Sequence, residues 1–195
     1  MAGQKPTLAA ATFLIAFLAA CHSSSNRSAV PPLDLTSSSF SGNVIPDKFT
    51  CHGQDVSPEL AWKPAPSGTR SFVLIVTDRD SRFGGLAGYV LHWVTGYFVH
   101  WLAYDIPGNL GGLPEALPKQ PRRADGTLQG QNDFEKTGYS GPCPPEGRAH
   151  HYRFELFALD SSLGLPAGAT EKQVRRAMAG HVLAEGELTG LYPVQ

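Results

Sequence analysis

Ser71-Phe-Val-Leu-Ile-Val-Thr77 is an unbroken apolar run rich in β-branched residues. A strand with one wet face alternates apolar and polar side chains, so this run predicts a strand buried on both faces. It ends on Asp78-Arg79-Asp80, two carboxylates at the mouth of a buried element. Working outward, Tyr97 to Tyr104 (YFVHWLAY) is aromatic-rich, stops at Asp105-Ile106-Pro107, and predicts a second strand. In Tyr152 to Leu159 (YRFELFAL), Arg153 and Glu155 alternate with Phe154 and Leu156, which predicts a third. Glu187 to Tyr192 supplies a last one. Residues 33–63 are short pieces broken by turn signals at Ser41-Gly42, Gly53 and Ser57-Pro58, and residues 108–150 are loop-like. One helix is signalled by Thr170 and Gln173 at capping-box spacing, with Glu171 in the first turn. Val174, Ala177, Met178, His181 and Val182 then form a core-facing stripe, which predicts His181 as a core histidine. The pattern predicts a mostly β (α+β) domain, antiparallel, with peripheral helices.

The chain has 195 residues, enough for one domain with its own core. Its net charge is −1 and no basic block is present; the nearest thing, the doublet Arg122-Arg123 beside Lys119, reads as a solvated loop. That leaves no electrostatic footprint for a phosphate backbone, so nucleic acid is not an expected partner.

Residues 1–20 are set apart from this domain. Lys5 precedes an apolar stretch from Leu8 to Ala20, too short to span a bilayer and suited to a signal h-region. Leu18-Ala19-Ala20-Cys21 resembles the lipobox of bacterial lipoproteins, which implies lipidation at Cys21; an ordinary signal peptide with an incidental cysteine is the alternative. Residues 21–34 are polar and proline-ended, as a lipidated tether would be, and the domain proper is 35–195. Acyl chains on Cys21 would make the protein anchored rather than spanning, on the periplasmic side of the bacterial cell envelope. Two cysteines remain, Cys51 and Cys143. In an exported protein an even pair suggests a disulfide, with two separate thiols as the alternative.

Four clusters could carry chemistry: Asp78-Arg79-Asp80, the His-Trp pairs, Gly141-Pro-Cys-Pro-Pro145 and His150-His151-Tyr152. Asp78 and Asp80 are two apart, as are His150 and Tyr152, so each pair can project from one face of an extended segment. Imidazole and phenol groups hydrogen-bond anions, and neighbouring aspartates orient the rings. Each residue alone also reads as turn, surface or core. The segment Gly88-Tyr-Val-Leu-His-Trp-Val-Thr95 is echoed by Gly96-Tyr-Phe-Val-His-Trp-Leu-Ala103. The even offset keeps strand face, so His92 and His100 compete for one role. One copy is predicted to be extra loop, since a sixteen-residue strand exceeds the usual length.

Several motifs together carry a family resemblance. Phe49-Thr-Cys-His-Gly53, Val56-Ser-Pro-Glu-Leu-Ala-Trp62, Asp78-Arg-Asp80, Val99-His-Trp-Leu-Ala-Tyr-Asp-Ile-Pro107, Gln131-Asn-Asp-Phe-Glu-Lys-Thr-Gly-Tyr139, Gly141-Pro-Cys-Pro-Pro145 and His150-His-Tyr152 occur in order. They resemble the phosphatidylethanolamine-binding protein (PEBP) family, in its bacterial Raf-kinase-inhibitor-like branch, over about residues 35–192. The resemblance implies an antiparallel Greek-key β-sandwich with a shallow cavity for phosphate or carboxylate anions, phospholipid headgroups included. By motif position it implies a ligand site of Asp78, Asp80, His100, Pro145, His150 and Tyr152, with Cys51 and Cys143 near its rim. It further implies a regulatory or inhibitory, non-enzymatic protein with no cofactor or metal. A kinase or peptidase is the implied kind of protein target.

Three departures stand out. The family's Asp-Pro-Asp-Ala-Pro is Asp78-Arg-Asp-Ser-Arg82 here, the 82–96 insertion is extra, and the usual His-Arg-Tyr is His150-His151-Tyr152. The last exchanges a permanent cation for a titratable one. Two competing readings are a zinc hydrolase using His100, His150 and an aspartate, and a peptidase inhibitor acting through the insertion. Neither a His-Glu-x-x-His nor a Gly-x-Ser-x-Gly motif is present.

Overall fold

The computed structural model describes Gly3 and residues 30–63, 65–81 and 96–193. Cys21, His92 and residues 82–95 of the insertion lie outside the described residues. In chain order the elements are β1 (Asp34–Thr36), a 3-10 turn (Asp47–Phe49), β2 (Leu60–Lys63), β3 (Ser71–Asp78) and β4 (Phe98–Pro107). There follow β5 (Gly112–Leu113), β6 (Leu128–Gln129), β7 (His150–Leu159), helix α1 (Glu171–Met178) and β8 (Val182–Tyr192). They build two antiparallel sheets, a five-stranded one ordered β6-β4-β3-β7-β8 and a three-stranded one ordered β1-β2-β5. The fold is mostly antiparallel β, as the sequence predicts.

β3 is the central strand, and every one of its residues is buried. Phe72, Leu74 and Val76 point into a core shared with Leu35, Leu60, Trp62 and Leu113 of the smaller sheet. Val73 and Ile75 point the other way, into a second core closed by Ala169 and by Val174 and Met178 of α1. Antiparallel sheets usually leave one face wet; here the helix dries the second face, which accounts for the unbroken apolar run.

Helix α1 begins with the predicted capping box, Thr170 and Gln173 each satisfying the other's backbone N–H. It stops at Met178 because Gly180 takes a left-handed conformation with φ 85°. The helical stripe is therefore shorter than the spacing predicts. Val182 opens β8, and His181 is not a core residue: its side chain is 46% exposed, with Nδ1 2.8 Å from Asp160 Oδ1. Among the described residues no helix is long and apolar enough to cross a membrane.

The predicted disulfide is present. Cys51 and Cys143 are bonded with Cα atoms 5.4 Å apart across 92 residues of sequence. Gly141 makes the approach possible, since a Cβ there would sit 2.2 Å from the Phe49 carbonyl oxygen. Around the bridge, Cys51 N–H donates to Pro142 O (3.0 Å), Gly141 N–H to Asp55 Oδ1 (2.7 Å) and the Tyr139 hydroxyl to Phe49 O (2.7 Å).

Candidate functional site

The C-terminal end of β3 meets the N-terminal end of β7, where Asp78 pairs with Tyr152 in register. Asp78, at the end of a fully buried strand, cannot reach water, and its carboxylate is shared between two structures. Oδ2 lies 2.7 Å from Nδ1 of His150, with both side chains 5% exposed. Oδ1 accepts the backbone N–H groups of Asp80 (2.8 Å) and Ser81 (3.0 Å), closing an Asx turn.

Asp80 is therefore carried into a turn and does not share the extended face that the two-residue spacing predicts. It pairs with His151, whose Nδ1 and backbone N both lie 2.8 Å from Oδ2. Neighbouring residues of a strand face opposite ways, so His150 is buried and His151 is exposed. Partial burial pushes the Asp80 carboxyl up, but the side-chain and backbone hydrogen bonds of His151 outweigh it and hold it below the ordinary carboxylate range.

His100 reaches the cluster through a bulge in β4. Val76 pairs with Trp101 while Thr77 pairs with Val99, which leaves His100 as the extra residue. Its carbonyl turns to the loop 132–140 and accepts from Ser140 N–H at 3.0 Å and Asn132 Nδ2 at 3.3 Å. Its ring donates from Nδ1 to the Ser140 carbonyl at 2.7 Å. Burial pushes the imidazole below its ordinary value, against the raising pull of the Ser140 and Gly141 carbonyls and of Asp78 and Asp55. Edge-on aromatic contacts hold it, with ring centroids 5.3 Å from Phe98, 5.2 Å from Phe134 and 5.0 Å from Tyr152.

Tyr152 completes the buried set. Its hydroxyl is buried and has no hydrogen-bond partner in the protein. Burial, then the Asp78 carboxylate, push the phenol well above its ordinary value. The Asp78 carboxylate and the Cys143 backbone N–H lie close enough to act on the phenol, yet neither completes a hydrogen bond of good geometry with it. Pro145 is exposed on the loop leading from Cys143 to β7.

Asp78, His100, His150 and Tyr152 thus come together, while Asp80 pairs with His151 on the exposed side. The spacing arguments do not single out Asn132. Its buried side chain donates to His100 O, Gly138 O and Ser140 Oγ and accepts from the Phe134 and Lys136 amides. The signal was the Gln131-Asn-Asp-Phe motif. Among the described residues, no three His, Cys, Asp or Glu side chains converge as ligands for a metal ion. A groove of about 370 Å³ lies elsewhere, between residues 30–33 and Arg153, Glu155, Phe157, Glu185 and Glu187, and contains none of the six candidate residues.

Comparison with known proteins gives a consistent answer. A family model described as phosphatidylethanolamine-binding protein matches residues 36–193. A UPF0098 protein of Aquifex aeolicus is 44% identical over 163 residues, covering 82% of this chain and 88% of the relative. A Mycobacterium tuberculosis protein with the provisional name lipoprotein LppC is 34% identical over 166 residues, covering 84% and 74% respectively. Among solved structures, a PEBP homologue from Chlamydia trachomatis superposes with a TM-score of 0.71 at 34% identity, covering 84% of this chain and 99% of that one. The E. coli protein YbcL, described as a member of the mammalian PEBP family, gives a TM-score of 0.69 at 27% identity over the same shares. With the family match running from the last residue of β1 through β8, the chain belongs to the phosphatidylethanolamine-binding protein family.

Proposed function

We propose that this is an envelope-anchored, non-enzymatic member of the family that binds phosphate or carboxylate anions, phospholipid headgroups among them. Asp78, Asp80, His100, Pro145, His150 and Tyr152 are the proposed ligand site, and the role is regulatory or inhibitory. The observation that carries the reading is the Tyr152 hydroxyl, a buried donor with no partner beside the Asp78–His150 pair and His100. Leaving a polar group buried and unpaired is unfavourable, and a bound anion would satisfy it. The anchor rests on Leu18-Ala19-Ala20-Cys21, supported by the provisional lipoprotein name of the mycobacterial relative.

Calorimetric titration of phosphoethanolamine into the wild type and Tyr152→Phe tests the site. Because the hydroxyl has no partner to lose, the variant should keep its stability while binding falls about tenfold. Unchanged binding refutes the site. For the anchor, Cys21→Ser should move the protein from the membrane to the soluble fraction; retention on membranes overturns it.

A further inference from the structure

We infer that the site takes a singly charged phosphate carrying its own proton, a phosphomonoester or free phosphate with a P–OH group, in preference to a phosphodiester headgroup. This rests on the anion-site reading above and narrows its ligand class. His100 decides the first half. A carbonyl only accepts, so the 2.7 Å contact with Ser140 O fixes the imidazole proton on Nδ1. The groups acting on this ring are Asp78 from β3, Tyr152 from β7, Asp55, and the Ser140 and Gly141 carbonyls. Burial outweighs their combined pull, which favours the neutral ring, and in that form Nε2 is a lone-pair acceptor. An ionised phosphate oxygen gains nothing there; a P–OH donates to it.

Tyr152 decides the second half. Its phenol keeps its proton and has no partner, so it calls for an acceptor oxygen. The ring centroids of these two buried side chains are 5.0 Å apart, so the residue that offers an acceptor and the residue that offers a donor are in contact. A group presenting P–OH next to P–O⁻ satisfies both, whereas a diester offers only acceptors.

The charge balance points the same way. Asp78 brings a negative charge into the cluster, opposed among the described residues by His150 when that ring is protonated. Among the described residues, three permanent cations of the surrounding segments are engaged elsewhere. Arg79 lies over the Tyr97 ring at 5.5 Å, Arg148 donates to Asp80 O at 2.7 Å, and Lys119 pairs with Asp55 at 2.6 Å. A second ligand charge would meet Asp78 without compensation.

The test is calorimetry on the wild-type protein with methyl phosphate and dimethyl phosphate, each at about pH 5 and about pH 8, on either side of the monoester's second pKa near 6. At the lower pH both ligands are monoanions, and only methyl phosphate carries a P–OH. Methyl phosphate should then bind about tenfold or more tightly than dimethyl phosphate. Raising the pH should weaken methyl phosphate further than dimethyl phosphate, whose own change reports the titration of the protein alone. Equal binding of the two at the lower pH overturns the inference and leaves the anion site standing. Binding of neither overturns both.

Discussion

His150 Nδ1 and Asp78 Oδ2 lie 2.7 Å apart with both side chains 5% exposed. A buried carboxylate this close to an imidazole fixes the ring's orientation and tautomer. Asp78→Asn keeps an oxygen to accept from the Asp80 and Ser81 amides, so the turn survives, but it sets an amide N–H against the imidazole N–H. Such a mismatch should lower the unfolding free energy by about 2–3 kcal/mol, read by denaturant titration. A change under about 0.5 kcal/mol would show that the pair contributes no such bond.

His100 gives a pH signature that originates in its burial. Its folded pKa is lowered by burial, so between the ordinary histidine value and the folded value the unfolded chain holds the extra proton. Stability is full above about pH 6.5 and declines as the pH falls below it, levelling off under the folded pKa. His100→Gln removes that share. Subtracting its stability-versus-pH curve from the wild-type curve should leave a decline confined to the acid side of about pH 6.5. Parallel curves would mean that His100 titrates alike in both states.

Local pattern made the large elements legible and left the small ones hidden. β3 was readable because its apolar run has one explanation, two dry faces. β1, β2, β5 and β6 are two to four residues long, too short for any period to register. The site was legible through motifs rather than spacing. Counting by twos aligns Asp78 with Asp80, but the Asx turn breaks the extension between them. Counting by eights makes His92 and His100 equivalent, whereas the bulge at His100 is specified by the loop that receives its carbonyl, thirty to forty residues away. His181 was misassigned because the helical count was carried across Gly180.

Gly141 tests how the rim is seated. An added Cβ would meet only backbone, at 2.2 Å from Phe49 O and 2.8 Å from Thr50 Cα, and backbone cannot rotate aside. Gly141→Ala should lower stability by about 2–3 kcal/mol in thermal or chemical unfolding. Reducing the Cys51–Cys143 bridge, which closes 92 residues, should remove up to about 4 kcal/mol. The two losses should be less than additive, because both loosen the same junction. Full additivity would place Gly141 outside the disulfide's cooperative unit.

Asn132 is the final case, and it separates positioning from bulk packing. Its Nδ2 donates toward three oxygens, His100 O at 3.3 Å, Gly138 O at 3.0 Å and Ser140 Oγ at 3.0 Å. Its Oδ1 accepts from Phe134 N at 3.0 Å and Lys136 N at 3.1 Å. Asn132→Asp keeps the shape and the two accepted bonds but turns an oxygen toward three oxygens. Ionised, that carboxylate is buried among acceptors; protonated, its O–H restores one donated bond. Its folded pKa must therefore lie above the ordinary value of about 3.9, and the folded state retains a proton that the unfolded chain gives up. The variant is predicted to approach wild-type stability near pH 4 and to lose about 3 kcal/mol or more by pH 7. Asn132→Ala should show its loss without that slope. In both variants Ser140 loses the bond that Asn132 makes to its Oγ, which loosens the carbonyl that holds His100 Nδ1, so imidazole nitrogen shifts should report His100 as a mixture of tautomers instead of the Nδ1–H form alone. If the aspartate variant is equally destabilised at both pH values and His100 keeps one tautomer, Asn132 fills space and does not set the histidine's chemistry.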